Sequence, residues 1–253
     1  MVVQYTQGWV VALLLVATRV SPLIFFSPLL SLSKIPVRIS VTLILVLSAG
    51  ITSIVDTSGT AGVQAISQLV PLILQEALVG ILMAFGVFSA FAVFSFGGRI
   101  LDMQMGFSVA ATVDPASGAQ SPLIGTAITL AAVLTFFLAD FHYVFIKALI
   151  QSFSVVPLGS GIGDIDFDAV VTQFGLMFSL GVVVVIPVVV MLLLVDGALA
   201  LAARTMPQVN MFMLSIPIKI FVGLILVAIL AESFGSIFKQ VFQSIFSYWG
   251  AVL

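Results

Sequence analysis

The sequence predicts an all-α integral membrane protein: about six long, kinked hydrophobic helices followed by a C-terminal amphipathic helix. Three observations carry that expectation. Hydrophobic residues fill 62% of the 253 positions and charged residues only 7%, against roughly 45–50% and about 25% in soluble domains, so a water-facing surface cannot be assembled from them. Mean hydropathy is +1.34. The apolar residues also gather into runs of the roughly 20 residues that a helix needs to cross a bilayer. A net charge of -2 supplies no basic field for nucleic acid. The absence of cysteine removes disulfides, thiolate nucleophiles and thiolate metal sites.

The opening MVVQYTQGWVVALLLVATRVSP lacks the basic region of a signal peptide and merges into a longer apolar run, so it is read as retained. The first segment is expected over Trp9–Leu32, bent or ended by Pro22 and Pro28, because proline removes a helix hydrogen bond and clashes with the preceding turn. Ile39–Val55 follows. Leu69–Phe96 and Leu123–Ile150 would each exceed about 40 Å if straight, which demands tilt, kinks or extension beyond the bilayer. Gly80/Ala84 and Gly86/Ala90 offer close helix approach in the third segment. Phe174–Ala203 should kink at Pro187, and Ile216–Glu232 completes the set. In the terminal run, Phe234, Phe238, Val241, Ile245 and Trp249 recur at three- and four-residue steps. A membrane-surface helix normally carries a basic face, and this one has only Lys239, so contact with a protein partner is expected.

Lys34, Arg38, Arg99, Arg204 and Lys219 fall in one set of connections, Asp56 and the acidic GDIDFD of residues 163–168 in the other. The positive-inside rule then puts the first set in the cytoplasm and both termini outside. Arg19, Pro22 and IPVRI from Ile35 recur as Arg204, Pro207 and IPIKI from Ile216, which is either an internal repeat or chance.

Between two of these runs lies GFSVAATVDPASGAQSP, Gly106–Pro122, with Asp114 its one charge, two prolines, and small side chains. It cannot span a bilayer. Irregular backbone at membrane depth survives only when buried in protein or lining a watery cavity; on the residues alone, an ordinary exposed connection is the competing reading. Met103 and Met105 flank it as candidate gaskets or as plain core filling.

Charges inside apolar segments cost at least about 2.5–3.5 kcal/mol each. Glu76, Asp140, Lys147, Asp196 and Glu232 are the main ones, with Asp140 and Lys147 two turns apart on nearly one face. Arg99 and Asp102 have the i,i+3 spacing of a local pair. These seven are expected to pin register between subunits; the alternative is a proton relay through Glu76, Asp140 and Asp196 in a self-contained small-molecule or ion transporter. Pro207 and Pro217 should break the chain into a turn whose polar face is Arg204, Gln208, Asn210 and Lys219. GFSVA at residues 106–110 superficially matches an intramembrane serine protease motif with His142 as base, but there is no other histidine and no second ligand cluster. Neither a P-loop nor a dinucleotide-binding turn is present. No cofactor is expected.

RTMPQVNMFMLSIPIKIFVGL (Arg204–Leu224) and GGRILDMQMGFSVAATVDPASGAQSP (Gly97–Pro122), with RVSPLIFFSP, QEALVG and SFSVVPLG, resemble the FliR/SctT family of type III secretion export-gate proteins over nearly the full length. The flagellar form is the nearer likeness. The resemblance implies a conduit and closure in place of a catalyst: one copy of the chain in a bacterial inner-membrane gate with several FliP and FliQ subunits, at the base of the flagellar basal body. Residues 1–173 would be FliP-like and 174–253 a FliQ-like hairpin, with subunits kinked and partly lifted above the bilayer. FlhB and FlhA, membrane lipid and unfolded export substrates are the further partners. By the same resemblance the loop is the central plug, through Gly106, Phe107, Ser108, Val109, Asp114, Pro115, Gly118 and Pro122. Arg204, Pro207, Gln208, Asn210 and Lys219 would dock FlhB.

Overall fold

The structure, a computed structural model, describes residues 7–28, 35–60, 66–107, 122–160, 165–208 and 210–253. Seven α-helices are labelled here α1 (Gln7–Phe25), α2 (Val37–Thr52), α3 (Ile66–Met105), α4 (Leu123–Leu138), α5 (Phe141–Val155), α6 (Phe167–Thr205) and α7 (Met211–Val252), with one 3-10 turn at Ser58–Thr60. No strand occurs among the described residues.

α1, α3, α6 and α7 are long and apolar enough to cross a membrane, α4 and α5 form a pair bent by 73°, and α2 is a shorter apolar helix. Three expectations change. The final apolar segment and the terminal run are one helix of 42 residues, and Leu123–Ile150 breaks at Ala139–Asp140, where Asp140 takes a left-handed φ of 60°. Pro217 does not break the chain but lies inside α7, as Pro187 lies inside α6. One missing N–H is tolerated there because interrupting a helix in apolar surroundings would orphan several more backbone groups.

The chain divides into two compact units. The first comprises Met1–Ser89, Asp140–Phe174 and Gln243–Leu253, the second Ala90–Ala139 and Gly175–Phe242. α3, α6 and α7 contribute residues to both.

In the first unit α1 packs beside α2. α2 buries Ser40, Ile44, Ser48, Ile51 and Thr52 while exposing Val37, Ile39, Val41, Leu45 and Val46. Polar inside and apolar outside is the reverse of a soluble amphipathic helix, and fits a helix solvated by lipid or by another protein. Gly80 lets α3 close directly onto the backbone of Arg19, since a Cβ there would collide with it. Gly86 makes room for Tyr248 and Trp249, and the Trp249 indole N–H donates to the Met83 carbonyl at 2.9 Å. Both glycines of the third segment are thus used within the chain. The Thr60 hydroxyl donates to the Gly8 carbonyl at 3.1 Å, and Gly59 sits against the Leu158 carbonyl. Three segments expected on one face of the membrane therefore meet.

The second unit is held by aromatic rings and glycine crossings. Phe94 stacks edge-on to Phe238 at 4.6 Å, Phe136 to Phe242 at 5.1 Å, and Phe91 tilts onto Phe242 at 5.5 Å; all five rings are buried. Offset and edge-on rings are each worth about 0.5–1.5 kcal/mol beyond their buried area. The C-terminal stripe is therefore not a partner-facing surface: Phe234, Phe238 and Val241 are buried in this unit, Ile245 and Trp249 in the first. Periodicity showed that the stripe would be covered, and the cover is the chain itself.

Gly98 meets Gly125 backbone to backbone where α3 crosses α4, and a Cβ on Gly97 would lie 2.7 Å from the Gly181 carbonyl of α6. Gly98→Val is expected to cost at least the roughly 1–3 kcal/mol typical of overpacking, read as a lowered unfolding midpoint of the detergent-purified chain. Gly197→Ala, inside α6 with a Cβ that would meet nothing within 4 Å, should leave the midpoint the same or slightly higher.

Candidate functional site

Helix α3 leads into the stretch Gly106–Pro122 and α4 leads out of it. At the near root Met105 is fully buried beneath Gly223 of α7, where a Cβ would come within 2.6 Å of its methyl carbon. Gly106 then turns at a φ of +88°, a conformation glycine takes without steric cost. Its N–H donates to the Met103 carbonyl at 3.2 Å. Met105 is thereby spent inside the chain as packing, whereas Met103 is 70% exposed. At the far root α4 starts after Pro122, which has no side chain able to cap it. The missing cap comes from α3: Asp102 accepts from the backbone N–H of Ile124 at 2.9 Å and of Gly125 at 3.0 Å. A carboxylate at a helix N-terminus satisfies orphan donors and meets the positive end of the helix dipole. The two ends of the loop are thus clasped by one side chain. Phe107 is half-buried at the near root. Ser108, Val109, Asp114, Pro115 and Gly118 lie outside the described residues.

This corrects the reading of Asp102 as a local partner of Arg99 or an intersubunit charge: it is buried and used by backbone amides, while Arg99 is exposed. The structure also redirects Glu76, expected to reach another subunit. Glu76 is buried in the first unit and bonded to Arg19, Nε to Oε2 at 2.6 Å. Arg19 is 0% exposed and its remaining donors are taken up at the C-terminal end of α5. Nη1 donates to the Ser152 carbonyl at 3.1 Å and Nη2 to the Val156 carbonyl at 2.9 Å. The guanidinium carbon stands 4.1 Å above the Phe153 ring. Orphan carbonyls at a helix C-terminus carry partial negative charge, so the cation completes α5 as well as pairing Glu76.

Asp196, likewise read as an intersubunit charge, pairs within the chain with Lys219 at 2.6 Å. That ion pair joins α6 to α7 and removes Lys219 from the exposed docking face. Two of the three relay carboxylates are therefore already neutralised by cations, which argues against a relay. Asp140 occupies the corner between α4 and α5, not a helix interior. Arg99, Asp140, Lys147 and Glu232 are exposed, with no ion pair to another described residue. The turn after α6 exposes Arg204, Pro207, Gln208 and Asn210, and Asn210 caps α7, its Oδ1 accepting from the Met213 N–H at 3.4 Å. Arg19 and Arg204, equated by the sequence echo, have opposite environments, one caged in mid-helix and one exposed at a helix end. His142 stands against Tyr143, ring centroids 4.2 Å apart, while Ser108, its proposed partner in a protease dyad, is outside the described residues. No metal-binding cluster occurs among the described residues.

Arg19 and Gln173 were missed as organising residues. Gln173, buried, donates to the Ser89 hydroxyl at 2.9 Å and the Ser244 hydroxyl at 3.5 Å, linking α6, α3 and α7 in the first unit. The available signal was pairing: an arginine centred in one apolar run needs a carboxylate centred in another.

Side chains so arranged define a class: an integral membrane protein of packed helices whose buried charges Arg19, Glu76 and Asp102 are used in holding helices together. Residues 10–245 match the family of "Bacterial export proteins, family 1". The chain is 34% identical over 173 residues to flagellar biosynthetic protein FliR of Bacillus subtilis, covering 67% of each. It is 29% identical over 230 residues to FliR of Escherichia coli, 90% of this chain and 87% of that one. Surface presentation of antigens protein SpaR of Shigella flexneri is 26% identical over 217 residues, 85% and 83% of the two chains. The chain belongs to this export family, the FliR/SctT family; it is a structural component of a type III protein-export apparatus, not an enzyme.

Removing one partner of a buried pair leaves an uncompensated charge, at a cost of about 3–5 kcal/mol. Arg19→Met or Glu76→Met should each lower the unfolding midpoint of the purified chain sharply, and the double variant Arg19→Met/Glu76→Met should recover part of the loss. Additive losses would show that the two residues act independently.

Proposed function

We propose that this chain is the plug-bearing subunit of a flagellar export gate in the bacterial inner membrane. The single observation that carries the reading is the clasp at the loop. Gly106–Pro122, a stretch of small residues with two prolines between two apolar helices, has its far root tied to its near root by Asp102 of α3, so both flanking helices are anchored independently of what lies between them. A closure that must yield to an unfolded substrate and reseal needs that combination. Met103, exposed beside the near root, offers a deformable thioether to the same passage.

The gate's other walls are supplied by FliP and FliQ, with a single copy of this chain. α6 exposes Val183, Leu193, Leu194 and Leu201, and α7 exposes Phe212, Met213, Phe221 and Ile229; such faces require lipid or further subunits to cover them. Residues 1–173 form the FliP-like part and 174–253 the FliQ-like hairpin, whose arms are tied by the Asp196–Lys219 pair. Arg204, Pro207, Gln208 and Asn210 present the polar turn to FlhB on the cytoplasmic side, with FlhA beyond it.

Deleting about ten residues between Ser108 and Ser121 should raise small-solute leakage through the assembled complex at least severalfold while subunit composition stays normal. Unchanged leakage with normal assembly would remove the plug role. A photocrosslinking residue at Gln208 should capture FlhB; labelling of that position from the periplasmic side would reverse the assigned orientation.

A further inference from the structure

Helix α5 uses its two faces differently. One face buries Leu149, Ser152 and Phe153, the residues around the Arg19 cage. The other exposes Tyr143, Lys147, Gln151 and Ser154 at steps of four, four and three residues, one polar seam along three turns. An open cavity of about 400 Å³ lies on one side of the seam, walled by Val144, Val155, Phe246 and Trp249. A second, of about 450 Å³, lies on the other side, walled by Ile146 and Ile150. Lys147 and Gln151 line both. Lys147 has no carboxylate within ion-pair distance among the described residues; Glu76 and Asp196 are already taken by Arg19 and Lys219.

The surroundings narrow what can cover this face. Water would leave Tyr143, Val144, Ile146 and Val155, all over 40% exposed, as a continuous apolar surface. Acyl chains would leave an ammonium and an amide in hydrocarbon, a cost of at least about 2.5–3.5 kcal/mol for the lysine. A protein helix meets both demands, with a carboxylate for the seam and aliphatic side chains for the grooves. Such a ridge between two grooves is the surface that ridges-into-grooves packing uses.

We propose that the seam Tyr143–Lys147–Gln151–Ser154 docks an apolar helix of a different membrane subunit, through an aspartate or glutamate that pairs with Lys147 and aliphatic residues one turn to either side. The proposal rests on the export-gate reading and specifies one of its contacts. The opposed charge sets register more than affinity, because a like charge or an empty partner position is penalised in a desolvated contact.

The test uses the full chain in its native host membrane, with a photocrosslinking residue at Ile146. The crosslinked peptide should map to an apolar helix of another export subunit, with Asp or Glu within one turn of the crosslink. Lys147→Glu should lower recovery of intact complex at least fivefold, and reversing the identified carboxylate to Lys should restore at least half. The isolated Lys147→Glu and Lys147→Gln chains should keep the parent unfolding midpoint, which separates lost docking from lost folding. Crosslinks to phospholipid or to a second copy of this chain overturn the proposal. So does normal complex recovery with Lys147→Glu, and in that case the export-gate reading stands. If the unsubstituted chain recovers no other membrane subunit, both fall.

Discussion

Arg19 is fully buried, and the first unit is arranged around that fact. Stripping an arginine of solvent costs several kcal/mol even after relaxation, so every donor must find an acceptor and the charge a counter-charge. Glu76 supplies the charge, the last carbonyls of α5 supply two acceptors, and Phe153 supplies an aromatic face. These groups come from α1, α3 and α5, so the three helices cannot slide past one another without orphaning one of them. Gly80 belongs to the same constraint: without a side chain, it allows α3 to approach the Arg19 backbone closely enough for Glu76 to reach.

The same logic recurs in the second unit with weaker parts. Asp102 is buried, and the N-terminal amides of α4 lack a cap because Pro122 cannot provide one; each satisfies the other. The Gly98–Gly125 crossing brings α3 and α4 near enough for that bond to form, and the Phe91, Phe94, Phe136, Phe238 and Phe242 rings pack the interior together with aliphatic residues such as Leu101, Ile128 and Leu192. Polar contacts set register and the aromatic and glycine contacts set spacing. Neither alone would determine how these helices meet, since lipid is as apolar as the helix surfaces and gives them no hydrophobic drive to associate.

This interior leaves little for chemistry. Two of the three carboxylates that could have relayed protons, Glu76 and Asp196, are held by cations, and the helices turn large aliphatic and aromatic side chains outward. A protein so built is completed by what surrounds it. That fits membership in a family of bacterial export proteins and a structural part in a type III export apparatus.

The class of protein was legible from composition alone, because too few charges and apolar runs of bilayer length have no other solution. Helix positions were legible too, as was the peculiarity of Gly106–Pro122, since hydropathy, proline and glycine act locally along the chain. Motifs also led to the export family before any fold was in view. What the sequence could not decide was who partners whom. Glu76, Asp102 and Asp196 read as charges in need of partners outside the chain, and the C-terminal Phe234–Trp249 stripe read as a face awaiting another subunit. Each was answered from within, across 57 residues for Arg19 and Glu76. A helix pattern states that a face must be covered and a buried charge that it must be paired. Only the tertiary structure names the partner, because helices far apart in sequence compete for the same face, and close approach at single glycines decides which of them reaches it.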